Sequence, residues 1–259
     1  MRRHLQDRIP LAIGVGLLVG VSVVMTVASG STETTAVVQN ARRGSQRRPP
    51  ARKIPVTRQM ISEAQQRLID LGYWIEGADG KWGEASRHGL IAFQKVERRA
   101  RTGKLTPDEL QALRAASRPS AREAGFAHIE VDLKRQVLFV IDDAGTVSKV
   151  LPVSTASGQL FTNEGVAEKA VTPAGRFRVY SKLAGWRKSD FGLLYYPNYI
   201  VGGIAIHGNP SVPAQPVSHG CIRIPMFAAE EFSKMTPIGT QVIVYDGSAP
   251  APQTAAPPR

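Results

Sequence analysis

The chain has a single cysteine, Cys221, among 259 residues. One thiol cannot form an intrachain disulfide, so a disulfide framework is excluded and the sulfur is left for other chemistry. Acidic residues are scarce as well, 21 against 33 Lys and Arg, which gives a net charge of +12. The scarcity is local: residues 126–246 hold 10 acids and 11 bases, whereas residues 1–125 hold 11 and 21. From Ile9 to Thr32 charge is missing altogether. That rules out an amphipathic helix, which needs a polar face. The run also exceeds the about 7–15 apolar residues of a signal-peptide core and reaches the about 20 of a membrane span. Residues 1–32 are therefore expected to be a signal-anchor or, with small-x-small sites at Thr26-Val27-Ala28 and Ala28-Ser29-Gly30, a signal peptide. Either outcome sends the rest of the chain to the cell envelope, membrane-anchored or secreted to the periplasm or wall. Export excludes nucleic acid as a partner and leaves a membrane surface or an anionic wall polymer for the basic excess.

Beyond Thr32 the chain divides into blocks of distinct composition. Residues 33–57 are rich in Ser, Thr, Pro, Ala and Arg and read as a basic disordered linker, and the Pro/Ala-rich tail 247–259 reads the same way. In residues 58–118 the apolar positions Met60, Ala64, Leu68 and Leu71 recur at helical spacing, and Gly72 stands where a helix would stop. A turn-rich loop around Asp79-Gly80-Lys81-Trp82-Gly83 precedes a second helix carrying Leu90, Ile91 and Phe93. Thr106-Pro107-Asp108-Glu109 marks a third helix start, with Thr as N-cap, Pro at N1 and Glu at N3. Trp74, Trp82 and Phe93 read as the core of this small helical unit, and Arg118-Pro119-Ser120 as a hinge after it.

From Phe126 the period changes to that of strands. Candidates are His128–Leu133, Gln136–Ile141, Val147–Val153, Gly175–Ser181, Ile200–His207 and Gln241–Tyr245, with one helix over Pro225–Met235. The expected fold class is α+β: a mainly antiparallel β-sandwich over 126–246, preceded by a three-helix domain and the N-terminal hydrophobic segment.

The chemistry is concentrated in Ser218-His219-Gly220-Cys221-Ile222-Arg223 and, upstream, His207-Gly208. A cysteine acyl-transfer site needs a partly ionised thiol, a base, and N–H donors for an oxyanion. An imidazole or the N-terminus of the Pro225 helix could ionise Cys221. His207, at the end of a strand, could serve as base. Gly220 could make a tight turn whose N–H, with that of Cys221, faces one oxygen. Two other readings stay open on residue chemistry: a zinc site using His207, His219 and Cys221, and an inert buried thiol.

Two resemblances narrow these readings. Gln65, Leu68, Leu71, Gly72, Tyr73, Asp79, Gly80, Trp82, Gly83, Phe93 and Gln94 resemble the pattern of a small three-helix peptidoglycan-binding domain, although His88 and Gly89 depart from it and its second half is shortened around Arg98–Lys104. His207-Gly208-Asn209 followed by Ser218 to Arg223, together with Thr172-Pro173-Ala174-Gly175-Arg176-Phe177 upstream, resemble the L,D-transpeptidases with a YkuD-type catalytic domain. That resemblance implies Cys221 as nucleophile and His207 as general acid/base. It implies that Gly208 and His219 shape the site and hold the imidazole, and that Gly220 and Cys221 supply the oxyanion N–H groups. Ser218 would be structural or would hydrogen-bond a ring nitrogen, with the structural role favoured, and Arg223 would bind a substrate carboxylate or pair with an internal acid.

The implied substrates are peptidoglycan stem peptides joined by 3→3 cross-links, with glycan strands as further partners and carbapenem-type β-lactams as inhibitors. No metal and no organic cofactor is implied. An L,D-carboxypeptidase using the same site, or a non-catalytic wall-binding protein, are the competing expectations.

Overall fold

The computed structural model describes residues 55–247. The expected signal segment 1–32, the linker up to residue 54 and the tail beyond Gly247 lie outside the described residues. Among the described residues no helix is long and apolar enough to cross a membrane.

Three helices come first: α1 (Arg58–Asp70), α2 (Glu84–Val96) and α3 (Pro107–Ala115). Thr57 caps α1 by accepting the Met60 N–H at 3.2 Å. Gly72, at φ +87°, follows the C-cap Leu71 as the left-handed residue that ends a helix. Thr106 caps α3 through the Glu109 N–H. The Glu109 carboxylate is held by Arg99 at 3.1 Å.

Two buried glutamines hold the loops. The Gln65 side chain donates to Asp79 Oδ1 and the Lys81 carbonyl and accepts the Gly80 N–H at 2.8 Å. Gln94 likewise donates to Thr102 Oγ1 and accepts the Gly103 N–H at 2.9 Å. The shortened second half thus keeps the same Gln-to-Gly clamp on a smaller loop. Gly89, one of the two departures from the pattern, is a packing glycine: a Cβ there would lie 2.3 Å from Ile75 Cγ2.

The remainder runs β1 (His128–Asp132), β2 (Val137–Ile141), β3 (Val147–Pro152), β4 (Leu160–Asn163), β5 (Val166–Lys169), β6 (Gly175–Arg178), β7 (Ser181–Lys182), β8 (Trp186–Ser189), β9 (Gly192–Val201), β10 (Ile204–Asn209), β11 (Ile222–Pro225), α4 (Met226–Met235) and β12 (Gln241–Tyr245). One sheet has the order β3-β2-β1-β12-β6, and a second has β11-β10-β9-β7 with β8 also paired to β9. Only β1 with β12 and β10 with β11 are parallel among the named strand pairs. The class is α+β and mainly antiparallel, as the pattern predicts. The expected strand Ile200–His207 is instead two strands, because Gly202, at φ +51°, turns the chain between β9 and β10. The hairpin β4–β5 and strand β8 are almost wholly solvent-facing. They lack the alternation of a half-buried strand and so leave no periodic signal.

The two parts of the described chain share a core. Strand β2, Val-Leu-Phe-Val-Ile, is buried on both faces. Val137, Phe139 and Ile141 pack with Leu68, Leu90, Phe93 and Leu113 of the helices. Leu138 and Val140 point the other way, into a core with Ile206, Ile222, Ile224 and Phe232. A strand covered on both sides reads as a continuous apolar run, and the helices are the cover. Each such side chain contributes about 1.5–3 kcal/mol relative to exposure.

Backbone bonds reinforce the union: Trp74 N–H donates to the Val150 carbonyl at 3.0 Å and Val150 N–H to the Gly72 carbonyl at 2.8 Å. Trp74 is accordingly a member of the inter-sheet core rather than of the helical core expected for it. The expected hinge is also pinned. Arg118 donates to the Val147 and Asp70 carbonyls at 3.0 and 2.7 Å, and the buried Glu130 carboxylate accepts the Arg122 and Glu123 N–H groups.

Lys95 completes the junction, with its fully buried ammonium donating to the Val153 carbonyl at 2.8 Å. Burial pulls its pKa down to about 7, helped by Arg101. A basic group whose folded pKa lies below its unfolded value costs stability while both states are protonated, and the cost fades as pH rises through the folded pKa. Stability of the wild type relative to Lys95→Met should therefore rise between about pH 6.5 and 8.5. Urea unfolding midpoints compared across that window check this, and parallel pH curves for the two proteins would refute it.

Candidate active site

The site is built on the parallel pair β10–β11. Register places His207 beside Arg223 and Ile206 beside Ile222. Alternation sends Ile206, Ile222 and Ile224 into the core and turns His207 and Arg223 to the opposite face. Cys221, two residues before Arg223, falls on that same face. All three line a cleft of about 680 Å³ whose outer wall includes Phe161, Phe191 and Leu193.

The half-buried thiol sits close to backbone. Ala205 N–H points at Cys221 Sγ at 3.5 Å, and the Gly203 carbonyl lies 3.8 Å from it. The His207 ring is buried, and its Nδ1 donates to the Gly208 carbonyl at 2.9 Å in the neutral form. This bond leaves Nε2 as the acceptor nitrogen. Gly208 has no room for a side chain: a Cβ would lie 2.6 Å from Ala229 Cβ on α4 and 3.1 Å from Tyr195 Cδ1.

The turn before Cys221 is tied down from beneath. Ser218 Oγ donates to the Cys221 carbonyl at 2.6 Å, and its N–H donates to the Thr155 carbonyl at 2.9 Å. Ser218 thus makes a backbone bond and none to a ring nitrogen. Thr172 Oγ1 donates to the Gly220 carbonyl at 2.6 Å while accepting the Ala156 N–H. Ser154 and Arg223 exchange both backbone bonds, at 3.1 and 3.0 Å. Gln136, itself at φ +62°, holds Thr155 through two side-chain bonds. Gly220 is not in the left-handed region. The close contacts a Cβ would make there, 3.3 Å from Ile204 Cγ1 and 3.4 Å from the Val171 carbonyl oxygen, favour glycine instead.

His219 is exposed and lies between two rings, stacked on Phe191 at 4.9 Å and edge-on to Phe161 at 4.6 Å. The structure therefore joins it to the wall formed by β4–β5 and the β8–β9 turn. His207 is held by Gly208.

Electrostatics depart from the expectation of a partly ionised thiol. Burial pushes the Cys221 thiol up, against the smaller pull of the Ala205 N–H and the Arg223 charge. Burial also pulls His207 down to about 4; the Gly208 bond opposes this and Arg223 adds to it. Both shifts favour the uncharged forms, a thiol and a neutral imidazole. Two causes are structural: a buried neutral ring offers no positive charge, and β11 intervenes between Cys221 and α4, so no helix starts just after the thiol. Arg223 is half-buried, and among the described residues no carboxylate pairs with it. Nor do His207, His219 and Cys221 converge as a metal-ligand set among those residues.

Several contributors had no role assigned from the sequence: Ala205 and Gly203, within the segment Gly203–Gly208 that resembles the family's, act through backbone atoms, and Ser154, Thr155 and Gln136 through long-range bonds. Phe161 is half-buried on β4 and Phe191 exposed in the β8–β9 turn, both on segments without a strong periodic signal. Thr172 carried a signal too, as the first residue of a Thr-Pro-x-Gly segment.

Comparison with known proteins bears on this cleft. The family described as L,D-transpeptidase catalytic domain (YkuD) matches residues 127–244, and the family described as a peptidoglycan binding domain matches residues 57–113. Among solved structures the chain is similar to an L,D-transpeptidase from Xylanimonas cellulosilytica, with 37% identity over 76% of this chain and 100% of that one, at a TM-score of 0.71. It also matches an L,D-transpeptidase (Yku) from Stackebrandtia nassauensis, with 21% identity over 74% of this chain and 92% of that one, at a TM-score of 0.42. No curated protein matches the chain.

Proposed function

This chain belongs to the L,D-transpeptidase family, and from that premise we propose that it forms 3→3 cross-links between peptidoglycan stem peptides through a thioester on Cys221. The observation that carries the reading is the one cleft that Cys221, His207 and Arg223 all line.

The resting protonation states dictate how the thiol is activated. Neither partner is charged, so His207 Nε2 takes the Cys221 proton as Sγ attacks the carbonyl of the third stem residue, and no standing thiolate is needed. The tetrahedral oxyanion is received by the N–H groups of Gly220 and Cys221, on a turn fixed by Ser218 and Thr172. Arg223 binds a stem carboxylate through its planar fork and favours the negative charge developing on sulfur. Collapse of the intermediate breaks the amide bond, and the imidazolium gives its proton to the departing D-alanine amine. A side-chain amine of a second stem then attacks the thioester, His207 accepts its proton, and the proton returns to sulfur as Cys221 leaves. Carbapenem-type β-lactams enter the same path by ring opening at Cys221.

We place the enzyme at the cell wall, held by its N-terminal segment or released, with the helical domain contributing to peptidoglycan attachment. The Trp and Phe residues of that domain are largely committed to packing, so its wall contacts are assigned to polar surface and not to an aromatic platform.

The test is intact-mass spectrometry and product analysis with a tetrapeptide donor. The expected results are a protein adduct equal to the donor less D-alanine and, on adding an amine acceptor, a cross-linked dimer. Tripeptide alone, with the acceptor present, would replace the transpeptidase with the carboxypeptidase. No adduct on folded, reduced protein would leave a wall-binding protein.

A further inference from the structure

A second cavity, about 640 Å³ in volume, contains neither Cys221 nor His207. It opens where the end of α2 and the loop after it meet the β1–β2 turn. Its wall carries seven Lys and Arg residues and a single acid, Asp132.

Two of those cations are neutralised: Arg135 by Asp132 at 2.7 Å and Arg99 by Glu109 at 3.1 Å. Arg101 donates only to a carbonyl, that of Ala214, at 3.1 Å. Arg98 and Lys134 are exposed. Among the described residues none of Arg98, Arg101 and Lys134 has a carboxylate partner. Like charges brought into one concavity from separate segments repel one another, and among the described residues no ion pair compensates these three. An anionic ligand would.

We propose that this cavity binds a phosphodiester-linked polyanion that lacks aromatic bases, with its phosphates held by Arg98, Arg101 and Lys134. Guanidinium forks match phosphate oxygens in pairs, and a lysine adds a point charge. The volume falls within the about 300–1,000 Å³ usual for ligand sites. The site offers no stacking platform: its one aromatic, Tyr245, is buried, and the Arg122 guanidinium lies over its ring at 4.5 Å. Nucleic acid would find charge there but no ring face on which to stack.

The test is calorimetric titration of the full chain with poly(glycerol phosphate) at fixed ionic strength. Arg98→Glu/Lys134→Glu should weaken binding about tenfold, or ~1.4 kcal/mol. Lys81→Glu/Lys104→Glu removes the same charge from exposed positions outside the cavity and should change binding less than about twofold. The basic linker is common to all these proteins. The milder Arg98→Gln/Lys134→Gln should fall between, and thermal midpoints should hold or rise, because among the described residues neither side chain has a carboxylate partner to lose and their removal relieves like-charge repulsion.

Equal weakening by both charge-reversed pairs would reduce the effect to net charge and overturn the proposal, as would unchanged binding in Arg98→Glu/Lys134→Glu. Single-stranded DNA or polyglutamate of matched charge binding as tightly, with the same loss on substitution, would overturn the assignment to phosphodiester without bases. Cross-linking of isolated stem peptides should be unaffected by these substitutions, which separates this site from the reaction at Cys221.

Discussion

Cys221→Ala should take up no mass from a tetrapeptide donor or from a carbapenem, and cross-linked product should fall to background. The fold should survive, since Sγ makes only a 3.5 Å contact with the Ala205 N–H and a 3.8 Å contact with the Gly203 carbonyl, and the residue is half-buried. An unchanged thermal midpoint would show that lost turnover is lost chemistry. Cross-linking by folded Cys221→Ala would remove the thioester from the mechanism, because no other cysteine exists in the chain to replace it.

The second large effect concerns the base. His207→Ala should lower the acylation rate about 10²–10⁴-fold. Ser218→Ala should lower it far less: it deprives the Cys221 carbonyl of a donor, a cost of about 1–3 kcal/mol in stability, without removing a proton acceptor. Comparable losses in both would argue that His207 is not the base.

The pH profile gives a finer check. A base with its pKa near 4 is neutral at any higher pH, so kcat/KM should hold on the acid side until about pH 5 and fall as His207 protonates. A limb near 6.5 would mean that the ring titrates as an ordinary imidazole. Stability moves in the same window. The unfolded chain takes up this proton first, so the fold loses stability as pH drops from about 6.5 to 4. Rates must therefore be read on protein shown to be folded.

Sequence and structure divide the site between them in a physically intelligible way. Cys221, His207 and Gly208 stood out in the sequence because a lone thiol, an imidazole and a glycine are visible along the chain in a fixed motif order, and the roles proposed for them come from the resemblance that this order carries. The helix limits at Gly72 and Thr106 were legible because capping is a local matter of one residue's φ or hydroxyl. Strand β2 was legible as a strand, but its uninterrupted apolar run could not say what covered the second face.

The amino-acid sequence by itself determined the elements with strong local signals, the lone thiol and the ordered motif around it, since each depends on residues near one another along the chain. Only the tertiary structure decided the rest. It set the shared core that joins helices to sheet through Trp74 and Lys95, the wall that encloses His219, and the convergence of cations from the loop after α2 and the β1–β2 turn. It also set the burial that disfavours charge on Cys221 and His207, because burial is a property of what packs around a group and is written nowhere in the group's own stretch of chain.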